Sequence, residues 1–115
     1  MSDRLEKVDG TNWREFVAAP KAVLMIGKSD CGACAQWTEE LQSFLESDKE
    51  WNDVRFGKML LDQRGLIDFK KANTWLADLD ELPFNQIYVN GERSKSFAGG
   101  GVERLVNRLR NLSGG

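Results

Sequence analysis

The alternation of apolar and polar positions divides the chain into strands and helices that take turns. Ala22, Val23, Leu24, Met25 and Ile26 form an unbroken apolar run. It has strand length and no polar position to face water, so it predicts a buried strand over 22–26. The period then changes: Trp37, Leu41, Phe44 and Leu45 recur at helical spacing, predicting a helix to about residue 47. Upstream, Lys7-Val8-Asp9 reads as a short edge strand stopped by Gly10. Asn12-Trp13-Arg14-Glu15 has the spacing of a capping box and predicts a helix to about residue 19, ended by Pro20, with Trp13, Phe16 and Val17 facing the core. Val54, Phe56, Met59, Leu60 and Leu61 mark a strand over 53–61, followed by a turn at Gln63-Arg64-Gly65. Ala72, Trp75, Leu76 and Leu79 then predict one long helix over 66–79.

The last third carries strong local signals. Strands at 84–89 and 94–97 flank Asn90-Gly91, a pair that favours the tight turn of a hairpin. Gly99-Gly100-Gly101 breaks the chain, and Val102, Leu105, Val106, Leu109 and Leu112 line one face of a final helix. Ser113-Gly114-Gly115 reads as a frayed tail. The order βαβαβαββα implies an α/β fold: a central mixed β-sheet flanked by helices on both faces, with an antiparallel edge contributed by the hairpin.

Composition adds bounds. The 115 residues are 41% hydrophobic and 30% charged, as expected of a single globular domain spanning 1–115. The net charge of −2 gives no electrostatic reason to expect nucleic acid or an anionic membrane as partner. No apolar run approaches the length of a membrane span. The charged start, Met1 to Lys7, lacks the apolar core of an export signal, so a cytoplasmic location is expected.

The candidate chemistry sits between the buried strand and the helix after it. Cys31 and Cys34 are the two cysteines of the chain, in Cys-x-x-Cys spacing. At the start of a helix, unpaired N–H groups and the macrodipole favour an anion, which lowers the pKa of Cys31 and makes it the candidate nucleophile. Cys34, a turn further on, is close enough to form a disulfide with it and is the candidate resolving thiol. Gly32 leaves the approach to Cys31 open, and Ala33 is a good helix former. Asp30 repels a thiolate at Cys31, and Lys28 offsets part of that repulsion. Two other readings stand beside the redox pair: small core cysteines, and half of a metal site. The chain has no histidine and no second cysteine pair, so zinc would need a dimer, and no metal site is expected. Trp13, Trp37, Trp51 and Trp75 read as core or half-buried anchors.

Cys31-Gly32-Ala33-Cys34 follows the buried strand, Asp62 ends the next one, Leu82-Pro83-Phe84 opens the hairpin, and Gly99 to Gly101 precede the last helix. On these points the chain resembles the thioredoxin superfamily over nearly its whole length. The resemblance implies a thioredoxin-like fold and a cis peptide bond before Pro83, which would face the cysteines. It also implies that the backbone at Leu82 pairs with bound substrate. Lys58 matches a family lysine, although a solvated strand lysine explains it equally. The chain departs from the Trp-Cys-Gly-Pro-Cys of typical thioredoxins, with Asp30 for the tryptophan and Ala33 for the proline. Met25 stands where the family buries an aspartate that assists proton transfer, so Cys34 lacks its usual proton acceptor. Segment 77–81, with Asp78, Asp80 and Glu81, is longer than the family norm and would form an acidic rim with Asp30.

These features lead to a thiol–disulfide oxidoreductase, thioredoxin- or glutaredoxin-like, that acts on protein disulfides. It would use no bound cofactor beyond its own disulfide. Gly99-Gly100-Gly101 lacks the G-x-G-x-x-G nucleotide fingerprint, so electrons would come from a separate reductase or a small thiol. The Cys-Pro-Tyr-Cys motif usual in glutaredoxins is absent, which counts against glutathione specificity. The alternative is a thioredoxin-fold binding module or redox sensor without efficient turnover.

Overall fold

The computed structural model describes residues 3–112. They run β1 (Leu5–Lys7), α1 (Trp13–Val17), β2 (Lys21–Gly27), α2 (Gly32–Ser47), β3 (Arg55–Leu60), α3 (Ile67–Ala72), a 3-10 helix (Thr74–Asp78), β4 (Phe84–Val89), β5 (Glu92–Ala98) and α4 (Val102–Arg110). The sheet order is β1-β3-β2-β4-β5, with β1, β3 and β2 parallel and β4 and β5 antiparallel. This is the α/β arrangement that the strand and helix order implies. The proposed tail at 113–115 lies outside the described residues.

β2 explains the layering. Val23 and Met25 join a core with Trp37, Leu41 and Leu45 of α2 and Leu105 and Leu109 of α4. Ala22, Leu24 and Ile26 point the other way, into a core with Trp13, Phe16, Met59 and Phe69. Because successive side chains point to opposite faces, a strand covered on both sides must be apolar throughout. β5 is the contrasting edge: Arg93, Ser94, Lys95 and Ser96 are exposed and only Phe97 turns into the core, a polar edge that resists pairing with other chains. At the hairpin tip Asn90 and Gly91 take φ of 52° and 85°, the left-handed pair that the Asn-Gly turn requires.

Three local expectations change. The first strand is Leu5–Lys7 rather than 7–9. Val8 still donates its N–H to the Lys58 carbonyl at 2.9 Å, but the Asp9 carboxylate turns the chain by accepting from the Thr11 N–H and hydroxyl. The capping box does not form. Asn12 Oδ1 accepts from the Asp9 N–H at 2.7 Å, and Glu15 is drawn to Arg55, whose guanidinium also grips Glu6 through two bonds of 2.9 and 2.6 Å. That fork joins β1, β3 and α1.

The expected long helix over 66–79 is broken at Asn73 (φ −126°, ψ 70°). Its side chain competes with the helical backbone, donating to the Phe69 carbonyl at 2.8 Å and accepting from the Trp75 indole N–H at 3.1 Å. Ala72 is therefore exposed, while Trp75 and Leu76 still pack against the core. Arg93, which donates to Gln86, stacks on Trp75 at 3.8 Å and ties the 3-10 helix to the hairpin.

Tyr88 is 4% exposed, and its hydroxyl has no hydrogen-bond partner among the described residues. Burial pushes its pKa up to about 12, against a smaller opposing pull from Arg93. Folding thus favours the neutral phenol. Stability is unaffected below the unfolded pKa of about 10 and is lost as pH rises from there towards 12. The chain has one tyrosine, so a near-ultraviolet titration reads this group alone. Tyrosinate should form near pH 12 in the folded protein and near 10 in urea. A folded-state midpoint near 10 would contradict the burial argument.

Candidate active site

The central strand delivers the cysteines. β2 ends at Gly27, and the turn that follows is tied down at several points. The Leu61 N–H bonds the Gly27 carbonyl at 2.8 Å, the Cys31 N–H bonds the Lys28 carbonyl at 3.3 Å, and the Asp62 carboxylate accepts from the N–H (3.1 Å) and hydroxyl of Ser29. The Ser29 bonds, helped by the charge of Lys28, hold the Asp62 carboxyl below its ordinary pKa.

Cys31 is the N-cap of α2, and its sulfur accepts from the Cys34 N–H at 3.1 Å. A free N–H at a helix start is satisfied there by sulfur, and the same geometry favours a negative charge on it. Cys31 and Cys34 are joined in a disulfide with a Cα separation of 5.2 Å. The pair is asymmetric: Cys31 is partly exposed, whereas Cys34 is 1% exposed. Gly32 and Ala33 are exposed, and nothing lies within 4 Å of where a Gly32 Cβ would be. A disulfide approaching Cys31 therefore meets no obstruction from either. Lys28 and Asp30 are also exposed, on the turn itself.

Two other loops close on the pair. The Leu82–Pro83 peptide bond is cis, and the Leu82 carbonyl oxygen lies 4.0 Å from Cys31 Sγ. The Gly99 N–H donates to the Pro83 carbonyl at 2.7 Å. Between these loops and α2 stands Asn85, fully buried in β4. Its Oδ1 accepts from the Trp37 indole N–H at 2.8 Å, and its Nδ2 donates to the carbonyls of Gly99 (2.8 Å) and Phe97 (3.3 Å). One amide thus binds the cysteine helix, the glycine loop and β5. A buried amide must be paired in this way, since leaving it bare costs about 1–3 kcal/mol. Asn85 was detectable in the sequence only as a polar residue inside an apolar strand. Ser29 gave no signal.

Solved structures share this fold. Thioredoxin f2 of Chlamydomonas reinhardtii matches with a TM-score of 0.74 at 20% identity, over 95% of this chain and 96% of that one. Mitochondrial thioredoxin 3 of Saccharomyces cerevisiae matches with a TM-score of 0.71 at 20% identity, over 94% and 95%. Thioredoxin O2 of Arabidopsis thaliana matches with 0.72 at 18%, over 97% and 96%. The chain has the thioredoxin fold. No protein-family model matches the sequence, and no curated protein sequence does.

Within that fold the surroundings of Cys34 differ from the pattern the resemblance implies. Met25 is fully buried, with Lys58 and Asn85 as its register partners on either side. A Cβ on Gly27 would lie 2.9 Å from Cys34 Sγ and 3.7 Å from Met25 Sδ, so Gly27 leaves space that both sulfur-bearing side chains border. Lys58 is half-buried and lines a crevice of about 250 Å³ with Leu5, Lys7 and Leu60.

Gly27 emerges as a site residue that periodicity did not single out. Gly27→Ala presses a methyl on Cys34 Sγ at 2.9 Å and should destabilise the oxidised protein by about 1–3 kcal/mol. The reduced protein should lose less, because a free Cys34 side chain can rotate away. The reduction potential should then rise by about 30 mV for each 1.4 kcal/mol of difference. Urea unfolding of both redox forms checks this, and equal losses would show that the methyl does not act through the sulfur.

Proposed function

We propose that this protein is a thiol–disulfide oxidoreductase that exchanges electrons with protein disulfides through Cys31 and Cys34. The observation that carries the reading is the asymmetric pair at the start of α2, with one sulfur open to a partner and the other buried behind it. In the reduced protein the Cys31 thiolate attacks a substrate disulfide. A mixed disulfide forms, and one substrate sulfur leaves and takes a proton. Cys34 then loses its proton and attacks Cys31 Sγ, which re-forms the internal disulfide and releases the second substrate thiol. Two electrons pass to the substrate, and a separate reductase or small thiol returns them.

The remaining residues support this cycle. The helix N-terminus and the Cys34 N–H stabilise the Cys31 thiolate. Leu82 and Pro83 support the substrate backbone beside Cys31, and Gly32 and Ala33 leave room for it. Lys28 and Asp30 act on the thiolate in opposite senses. Proteins, rather than nucleic acid or membrane, are the proposed partners, in a cytoplasmic setting. No helix among the described residues is long and apolar enough to cross a membrane.

Reduction of an insulin-type protein disulfide by the protein with dithiothreitol tests the reading. Cys31→Ser should abolish turnover, whereas Cys34→Ser should accumulate a mixed disulfide visible by mass. Turnover that survives Cys31→Ser would overturn the assignment.

Met25 favours a second reading, a redox sensor or binding module that turns over slowly. Met25 supplies no carboxylate to take the proton of the buried Cys34, and burial itself disfavours the thiolate. Resolution by Cys34 should then speed up steadily with pH across the neutral range. Met25→Asp should accelerate it about 100-fold at neutral pH, the scale of general-base assistance. A resolution rate in the unmodified protein that is fast and independent of pH would remove this second reading.

A further inference from the structure

The surface beside Cys31 carries a feature that the redox chemistry alone does not use. A hollow of about 350 Å³ begins at Ala33 and is lined by Gln36, Trp37, Glu40, Gly100 and Gly101. A second of about 770 Å³ lies between α2 and α4 and includes Glu39, Phe44, Val102, Glu103 and Arg104. The two share Glu40 and Gly101, so they form one trough leading away from the cysteines. Between α2 and α4 its floor is apolar, made by Phe44 and Val102, and nearer the cysteines it is formed by the glycine backbone beside Gln36 and the edge of the buried Trp37. Its rim is acidic.

Glu39, Glu40 and Glu103 are exposed, and none of the three is in an ion pair among the described residues. Among the described residues Glu40 meets only the Gln36 amide, at 3.4 Å. Among the described residues the trough has one cation, Arg104, which donates to the Gly100 carbonyl at 3.2 Å and stands 5.0 Å over the Phe97 ring, so three carboxylates face a single positive charge. Glu81 and Arg104 both approach Gly99, which offsets that charge further. On the opposite side of the sheet, by α3, the cleft next to Cys31 has the other sign. It holds about 660 Å³ and presents two cations, Lys28 and Lys70, with one carboxylate, Asp62, which accepts from Ser29.

We propose that the α2–α4 trough is the docking site for an extended, basic segment of the disulfide-bearing partner protein. The proposal rests on the redox reading of Cys31 and supplies its partner chemistry. Charge complementarity sets the occupant: a lysine- or arginine-bearing segment meets three unpaired carboxylates over an apolar floor. Charge also favours this placement, because the same segment laid on the other side meets two lysines and a single carboxylate. Helix geometry sets the spacing. From Cys31 to Glu40 α2 advances about 13 Å at 1.5 Å per residue. That equals about four residues of extended chain, so a basic residue about four positions from the partner's cysteine reaches Glu40.

The test compares two cysteine peptides, each activated as a neutral mixed disulfide with 2-thiopyridine. One has lysines about four residues to either side of its cysteine, the other glutamates at the same places. Rates with the reduced protein are divided by the rate with dithiodipyridine, which carries no charge. The lysine peptide should react roughly tenfold faster at low ionic strength, and the preference should collapse in high salt. In the combined variant Glu39→Gln, Glu40→Gln, Glu103→Gln, most of the preference should vanish. Equal normalised rates for the two peptides, or a preference that survives the triple substitution, would overturn the proposal. A serine version of the lysine peptide, which cannot react, should shift amide resonances at 36–44 and 100–104; shifts elsewhere alone would also overturn it. Failure to react with dithiodipyridine would instead count against the redox reading, leaving the resonance mapping to decide the docking.

Discussion

Strand β2 is buried along both faces, and the rest of the molecule is arranged to keep it so. Lys21 alone keeps partial contact with water, and every later residue to Gly27 is buried. An apolar strand in the middle of a sheet needs a layer on each side, which α2 and α4 supply on one face and α1 and α3 on the other. Its neighbours are fixed too: β3 runs parallel and β4 antiparallel, so both of its backbone edges are paired. The chemistry stands where this constraint ends. The chain leaves the core at Gly27, and a few residues later it places Cys31 at the start of a helix.

Precision at that exit comes from hydrogen bonds between loops rather than from hydrophobic burial. Asp62 fixes the turn before Cys31 through Ser29, Gly99 fixes the Pro83 loop, and Asn85 joins the glycine loop to α2 through Trp37. Three chain segments far apart in sequence are thereby held around one sulfur. Such a network has a strong effect in a low-dielectric interior, because each missing partner leaves a bare polar group. Gly27 and Gly100 serve the same end by volume. A Cβ at Gly27 would strike Cys34 Sγ at 2.9 Å, and one at Gly100 would meet the Trp37 ring at 3.1 Å.

The surroundings separate the two sulfurs functionally. Cys31 is partly exposed at the positive end of α2, beside the exposed Lys28 and Asp30. Cys34 is buried against Gly27, which offers neither charge nor a proton acceptor. The same division continues outward, with lysines in the cleft by α3 and carboxylates along the trough by α4.

The sequence by itself determined the order of strands and helices, the buried central strand, the Asn90-Gly91 turn and the cysteine pair at a helix start. Those features depend on periodicity and turn chemistry, which act between residues close together along the chain. The thioredoxin fold was legible for the same reason, from motifs standing at the junctions between elements. The tertiary structure decided what local pattern left open. Glu15 had a capping role available and took Arg55 instead, across a separation of 40 residues. Asn73 ended a helix that periodicity would have continued, because its amide found Phe69 and Trp75. Asn85 was one polar residue in a strand until folding brought Trp37, 48 residues away, to its oxygen. Such choices among partners and such limits on volume arise only once distant segments meet. Periodicity therefore located the cysteine pair, and the packed chain decided which sulfur is open and what surrounds the other.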